Sequence, residues 1–186
     1  HWEYTHPESG LTWSADKDAT TGEYLWAGCW YWYDEQAVLS SGRGAKDRDV
    51  WRYAEALLYA AEAIAQTEGV TAEAAGYLAQ VMARANMEGK TAAEIAATLP
   101  TDKTAFIEAV WTERLREFPL EFKIWDDCVR TGKFPVVDAN EKGKVTYVNL
   151  VGAQNGSGGT FKDSDLLWPL SLNEIQRNPK LTQNNG

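Results

Sequence analysis

The run Arg52-Tyr53-Ala54-Glu55-Ala56-Leu57-Leu58-Tyr59-Ala60-Ala61-Glu62-Ala63-Ile64-Ala65 decides the fold. Leu57, Leu58, Ala61, Ile64 and Ala65 recur at helical spacing, and Val50 with Tyr53 or Ala54 extends the stripe upstream. The pattern predicts a helix from about Asp47 to Thr67, capped by Asp47 or Asp49 and ended by Gly69. Thr71 caps a second helix that runs to about Met87, with Leu78, Val81, Met82 and Ala85 on its apolar face. Glu73 sits in its first turn, where a negative charge suits the helix dipole.

So short a connection makes the two helices pack antiparallel, and their many alanines allow close approach. The expectation is a mainly α fold: a tetratricopeptide-like helical hairpin plus further helices, with irregular aromatic loops and a few short strands. One hairpin cannot bury its own outer face, so it needs neighbours. A short helix follows at Thr91 to Leu99, stopped by Pro100. Thr101 or Asp102 caps a longer one carrying Phe106, Ile107, Val110, Trp111, Leu115 and Phe118, which Pro119 kinks or restarts. Its continuation, with Phe122, Ile124, Trp125 and Val129, runs to Gly132. Beyond Pro135 come loops and short strands, with Val145 to Leu150 as the best strand. Asn155 to Gly159 reads as a mobile loop, and residues 166–184 as an apolar tail that docks on the bundle. The chain is thus expected to form one domain: an aromatic loop region at 1–46, a helical core at 47–132, and loops with a docking tail at 133–186.

The net charge of −9 argues against nucleic acid or an anionic membrane surface as partner. Nine tryptophans are many for 186 residues. Each is either core or a stacking platform for a flat, polar ligand. Cys29 and Cys128 form no CxxC, and no Cys/His spacing suits zinc, so no metal is expected. A disulfide between them is compatible with export; two free, packed thiols are the expectation. No apolar run in these residues is long enough to span a bilayer as a helix, and none of them reads as a signal peptide.

Glycoside hydrolysis wants two carboxyl groups facing each other across a bond. Glu113, Glu117 and Glu121 would share a helical face if the helix survives Pro119, and Asp126 with Asp127 forms a second acidic pair. Each has Arg114, Arg116, Lys123 or Arg130 within a turn, which holds carboxylates ionised and is wrong for a general acid. His1 and His6 are the only histidines, and there is no nucleophile elbow or phosphate loop. The reading is a non-catalytic chain without cofactor. Its charged residues are architectural: Glu55 and Glu62 on the first helix, Arg84 on the second, and Glu113, Arg114, Glu117 and Arg130 later are expected to form partly buried pairs between helices.

Four ordered motifs carry a resemblance. The first is Arg52 to Ala63, and the second is Tyr77-Leu78-Ala79-Gln80-Val81-Met82-Ala83-Arg84-Ala85. The third joins Glu113-Arg114-Leu115-Arg116-Glu117-Phe118 to the stretch from Glu121 to Arg130. The fourth is the tail, Leu167-Trp168-Pro169-Leu170 followed by Glu174-Ile175, Asn178-Pro179 and Leu181-Thr182-Gln183-Asn184. Together they resemble the SusD/RagB family of outer-membrane nutrient-binding lipoproteins. Ala79, Met82, Phe122, Cys128 and Ser171 depart from the family pattern.

The resemblance implies the C-terminal portion of a longer protein of Bacteroidetes, lipid-anchored on the outer face of the outer membrane, with the anchor absent from this chain. It implies oligosaccharide binding and delivery to a SusC-like TonB-dependent transporter. None of the four motifs is itself a sugar-contact motif. The local candidates for sugar contact are Trp13, Trp26, Trp30, Trp32 and Tyr33, because a sugar ring stacks its apolar face on an indole or phenol. The alternative is a helical scaffold or interaction domain with no ligand of its own.

Overall fold

The computed structural model describes residues 3–5, 12–14, 34, 47, 49–138, 140–141 and 143–183, the first two stretches by their backbone. The chain divides into two compact units, His1–Val50 and Trp51–Gly186. In the first, strand β1 (Glu3–Thr5) pairs antiparallel with β2 (Thr12–Ser14), placing Tyr4 opposite Trp13.

The second unit is mainly helical. Helix α1 spans Tyr53–Glu68, several residues shorter at its start than the sequence pattern suggests. Arg52 takes the N-cap position with an extended backbone and no side-chain cap, so neither Asp47 nor Asp49 caps the helix. The reason is tertiary: Arg52 turns its guanidinium towards Glu117 and Glu121, and Val50, Trp51 and Tyr53 stay exposed. Helix α2 covers Ala72–Arg84, with the Thr71 hydroxyl accepting from Ala74 N at 3.1 Å. It ends short of Met87 because the Asn86 side chain captures Glu88 N and Lys90 N, an alternative to helix that asparagine offers readily.

Helix α3 (Ala92–Ala96) opens with a reciprocal capping box between Thr91 and Glu94. Helix α4 (Lys103–Glu117) is capped by Asp102, whose Oδ1 accepts from Ala105 N at 2.9 Å. Pro119 does not merely kink it. The helix stops at Phe118, and Leu120 and Phe122 both adopt positive φ in the turn that follows, so Glu121 leaves the face of Glu113 and Glu117. Helix α5 (Ile124–Thr131) restarts the chain and closes on Gly132, whose left-handed φ of 66° suits a residue without Cβ.

Leu57, Leu58, Ala61 and Ala65 of α1 meet Ala74, Leu78 and Val81 of α2 and Phe106, Ile107, Val110 and Phe118 of α4 in one buried core. The alanines let α1 and α2 approach closely, and α4 supplies the neighbour that the hairpin needs. Strand β4 (Val145–Asn149) pairs antiparallel with β3 (Lys133–Val137), in register Pro135 opposite Tyr147. The sequence reading places short strands only beyond Pro135, whereas β3 starts at Lys133 and runs through the proline, which a two-stranded ribbon tolerates.

The stretch from Asn155 to Gly159 is closed by its own bonds: Asn155 N donates to Gly159 O at 2.8 Å, and Asn155 Oδ1 accepts from Ser157 N and Gly159 N. The tail makes a 3-10 turn (Asp163–Leu166) and helix α6 (Leu172–Arg177), capped by Ser171. Gln183 clasps the backbone of Leu170 from both sides, its Oε1 accepting from Leu170 N and its Nε2 donating to Leu170 O. Leu166, Leu170, Ile175 and Leu181 are half-buried, whereas Leu167, Trp168 and Leu172 remain exposed.

Candidate functional site

Helices α1, α2, α4 and α5 bring the charged residues together in two chains. In the first, Glu117 accepts from Arg52 at 2.9 Å and from Arg84 at 2.6 Å, and Arg52 also holds Glu121 through Nε and Nη2, each at 2.9 Å. In the second, Arg130 grips both oxygens of Glu62 and reaches Asp127 at 3.0 Å. Asp127 accepts from Arg114 Nε at 2.7 Å, Arg114 Nη2 lies 3.6 Å from Glu55, and Lys123 Nζ lies 3.1 Å from Glu55. Aromatic faces insulate these charges. The Arg114 guanidinium sits 4.1 Å from the Tyr59 ring centre, with Arg130 over the same ring, and Arg52 lies over Phe118.

Glu55, Glu62, Glu113, Glu117 and Arg114 are buried, while Arg84 and Arg130 reach the surface. Hydrogen bonds from Glu121 and then Glu117 raise the Arg52 pKa, despite partial burial, and keep it cationic. Burial opposes the Arg130 charge, but Glu62 and Asp127 outweigh it and its pKa also rises. Both arginines are therefore permanent charges and cannot donate protons. Glu113 differs: burial pushes its carboxyl up, and Arg116, 3.7 Å away, offsets this only in part. Among the described residues, the neighbouring carboxylate that raises it further, Glu117, is held by two arginines and is not poised as a partner acid. This arrangement fixes helices rather than moving protons.

Cys128 is free and buried, and burial raises its thiol to about 11, which suppresses the thiolate. Among the described residues no group of His, Cys, Asp and Glu has metal-ligand clustering. No helix among them is long and apolar enough to cross a membrane.

Open clefts flank the framework among the described residues, one of about 330 Å³ beside Arg52 and Arg84 and two others. One, of about 340 Å³, runs along α4 beside the β3–β4 ribbon and is lined by Glu108, Arg116 and Lys144, with the buried Glu113 at its floor. The other, of about 460 Å³, lies between α5 and the tail and is lined by Trp125, Ser164, Asp165, Leu167, Trp168 and Pro169. Trp125 rests on Phe161, ring centres 5.6 Å apart.

The model of the SusD family matches residues 5–186, nearly the whole chain. The chain belongs to the SusD family. A solved SusD superfamily protein from Parabacteroides distasonis ATCC 8503 is 32% identical to it, with a TM-score of 0.67 over 82% of this chain. The chain spans 30% of that protein's length. Comparison with curated proteins gives no match.

Of the charged residues in the SusD-like motifs, Arg52, Glu55, Glu62, Arg84, Arg114, Glu117 and Arg130 form pairs between elements, whereas Glu113, expected to do the same, pairs among the described residues with Arg116 of its own helix. Of the aromatic candidates, Trp26, Trp30, Trp32 and Tyr33 lie outside the described residues. Trp13 is placed by its backbone alone, in β2. Two aromatic residues outside that set, Trp125 and Trp168, line the larger cleft. In the sequence Trp125 reads as part of a helical stripe, and Trp168 as part of a docking tail, so neither stands out as a ligand residue.

Proposed function

We propose that this chain belongs to a non-catalytic nutrient-capture protein. It binds oligosaccharide at the bacterial outer surface and hands it to a SusC-like TonB-dependent transporter in the outer membrane. The observation that supports this most is SusD family membership over residues 5–186, joined to a framework whose acids are held by arginines. In the full protein a lipid anchor on the outer face would keep the site beside its transporter. Trp13, Trp26, Trp30, Trp32 and Tyr33 are proposed as sugar contacts, with stacking as the main attraction. Hydroxyl hydrogen bonds exchange water for protein at little net gain, about 0.5–1.5 kcal/mol each, so affinity is modest.

Isothermal titration of the intact protein against a panel of oligosaccharides tests the reading. Saturable binding without release of new reducing ends, and co-purification of a TonB-dependent transporter, support it. Cleavage of the glycan, or no binding to any member of the panel, overturns it.

A further inference from the structure

We propose that the Asn155-Gly156 pair is a self-modification site, at which the folded chain closes a succinimide ring with water as the only co-reactant. Because the two residues are adjacent, the backbone nitrogen of Gly156 is tethered beside the side-chain amide carbon of Asn155, and its attack there closes a five-membered ring. Gly156 has no side chain to obstruct that approach.

The fold of the loop adds to what the dipeptide supplies. Asn155 Oδ1 accepts from Ser157 N at 3.0 Å and from Gly159 N at 2.9 Å. Negative charge gathers on that oxygen when Cγ is attacked, so these backbone N–H groups stand where an oxyanion hole would. Gly156 N and Asn155 Nδ2 have no hydrogen bond to another described residue, so neither the attacking nor the departing nitrogen is held back. Gly156 is exposed, and hydroxide can reach its N–H proton. Once that proton is lost, the nitrogen bonds to Cγ, the Cγ–Nδ2 bond breaks, and Nδ2 leaves as ammonia with a proton from water. Water then opens the imide. Cleavage at Cγ leaves aspartate; cleavage at the backbone carbonyl leaves isoaspartate.

The products act differently on the loop. An aspartate carboxylate keeps an acceptor for the same N–H groups and adds a negative charge. Isoaspartate routes the main chain through Cγ, which lengthens it and breaks the pairing of Asn155 N with Gly159 O and of Gly158 N with Asn155 O. The base of this loop is strapped to Phe161, whose backbone pairs with Gly152 and Ala153 and whose ring packs on Trp125 and Phe134.

The test incubates the intact protein in mildly alkaline buffer, folded and in urea, and follows its peptides by mass spectrometry over weeks. The peptide carrying Asn155 is expected to lose ammonia, then to take up water and separate into aspartate and isoaspartate forms. In the folded protein this is expected to run at no less than about a tenth of the rate in urea. A lower rate shows that the folded loop protects Asn155 and overturns the site. Gly156 lies outside the left-handed region and a Cβ there meets nothing within 4 Å, so Gly156→Val fits the fold. The branched side chain is expected to slow the loss of ammonia at least about tenfold. An unchanged rate in Gly156→Val means that Nδ2 leaves without ring closure, and this too overturns the proposal.

Discussion

Arg130 holds Glu62 at two points, Nη1 to Oε1 at 2.8 Å and Nη2 to Oε2 at 2.9 Å, across a sequence separation of 68 residues. This fork locks α5 onto α1. Glu62 is buried and Arg130 is its one ion-pair partner among the described residues. Glu62→Ala and Arg130→Ala are each expected to lower stability by about 2–4 kcal/mol, the second by stranding a buried carboxylate. The double variant should cost less than the sum. Urea midpoints of the three variants check this, and strict additivity would remove the pair from the account.

Arg84 gives a contrasting case. Its side chain is 65% exposed, and Glu117 keeps Arg52 when Arg84 is lost. Arg84→Ala is therefore expected to cost less than about 1 kcal/mol, and Arg52→Ala distinctly more. The sequence alone suggests that Arg84 matters as much as Glu62. Only the second arginine on Glu117 changes that ranking. Denaturation midpoints in which Arg84→Ala is the more damaging change would contradict it.

Glu113 links stability to pH. Burial raises its folded pKa above the unfolded one, so its contribution is full at pH below the unfolded value and is lost as pH rises through the folded value. Glu113→Gln should therefore gain stability relative to wild type between acidic and neutral pH. Thermal midpoints taken across that range measure the difference, and a constant offset would refute it.

Two glycines should respond oppositely. Gly76 lies inside α2, and a Cβ there meets nothing within 4 Å, so Gly76→Ala should stabilise by about 0.5–1 kcal/mol. Gly132 ends α5 with φ of 66°, and Gly132→Ala should destabilise by about 1 kcal/mol. Opposite shifts in thermal midpoint are expected.

Cys128 should resist alkylation in the folded chain. Its thiol is pushed to about 11 and it is buried, so at neutral pH thiolate is scarce and access is poor. Peptide mapping after iodoacetamide, with and without urea, checks this. Rapid native labelling of Cys128 would show the packing to be looser than it is here.

By itself the sequence determined the helical hairpin, its caps at Thr71 and Thr91, the choice of Asp102 or its neighbour for α4, and the family through its ordered motifs. These are local signals: apolar spacing, a hydroxyl or carboxylate before a helix, and a run of residue types in fixed order. Tertiary structure decided what local signals cannot carry. Arg52 begins α1 because Glu117 and Glu121, more than sixty residues away, hold its guanidinium. The strand through Pro135 exists because Tyr147 and its neighbours pair with it. Which arginine serves which carboxylate, and the meeting of Trp125 with Trp168 at one cleft, depend on contacts between segments far apart in the chain. Periodicity gives the face of a helix; only packing gives what that face meets.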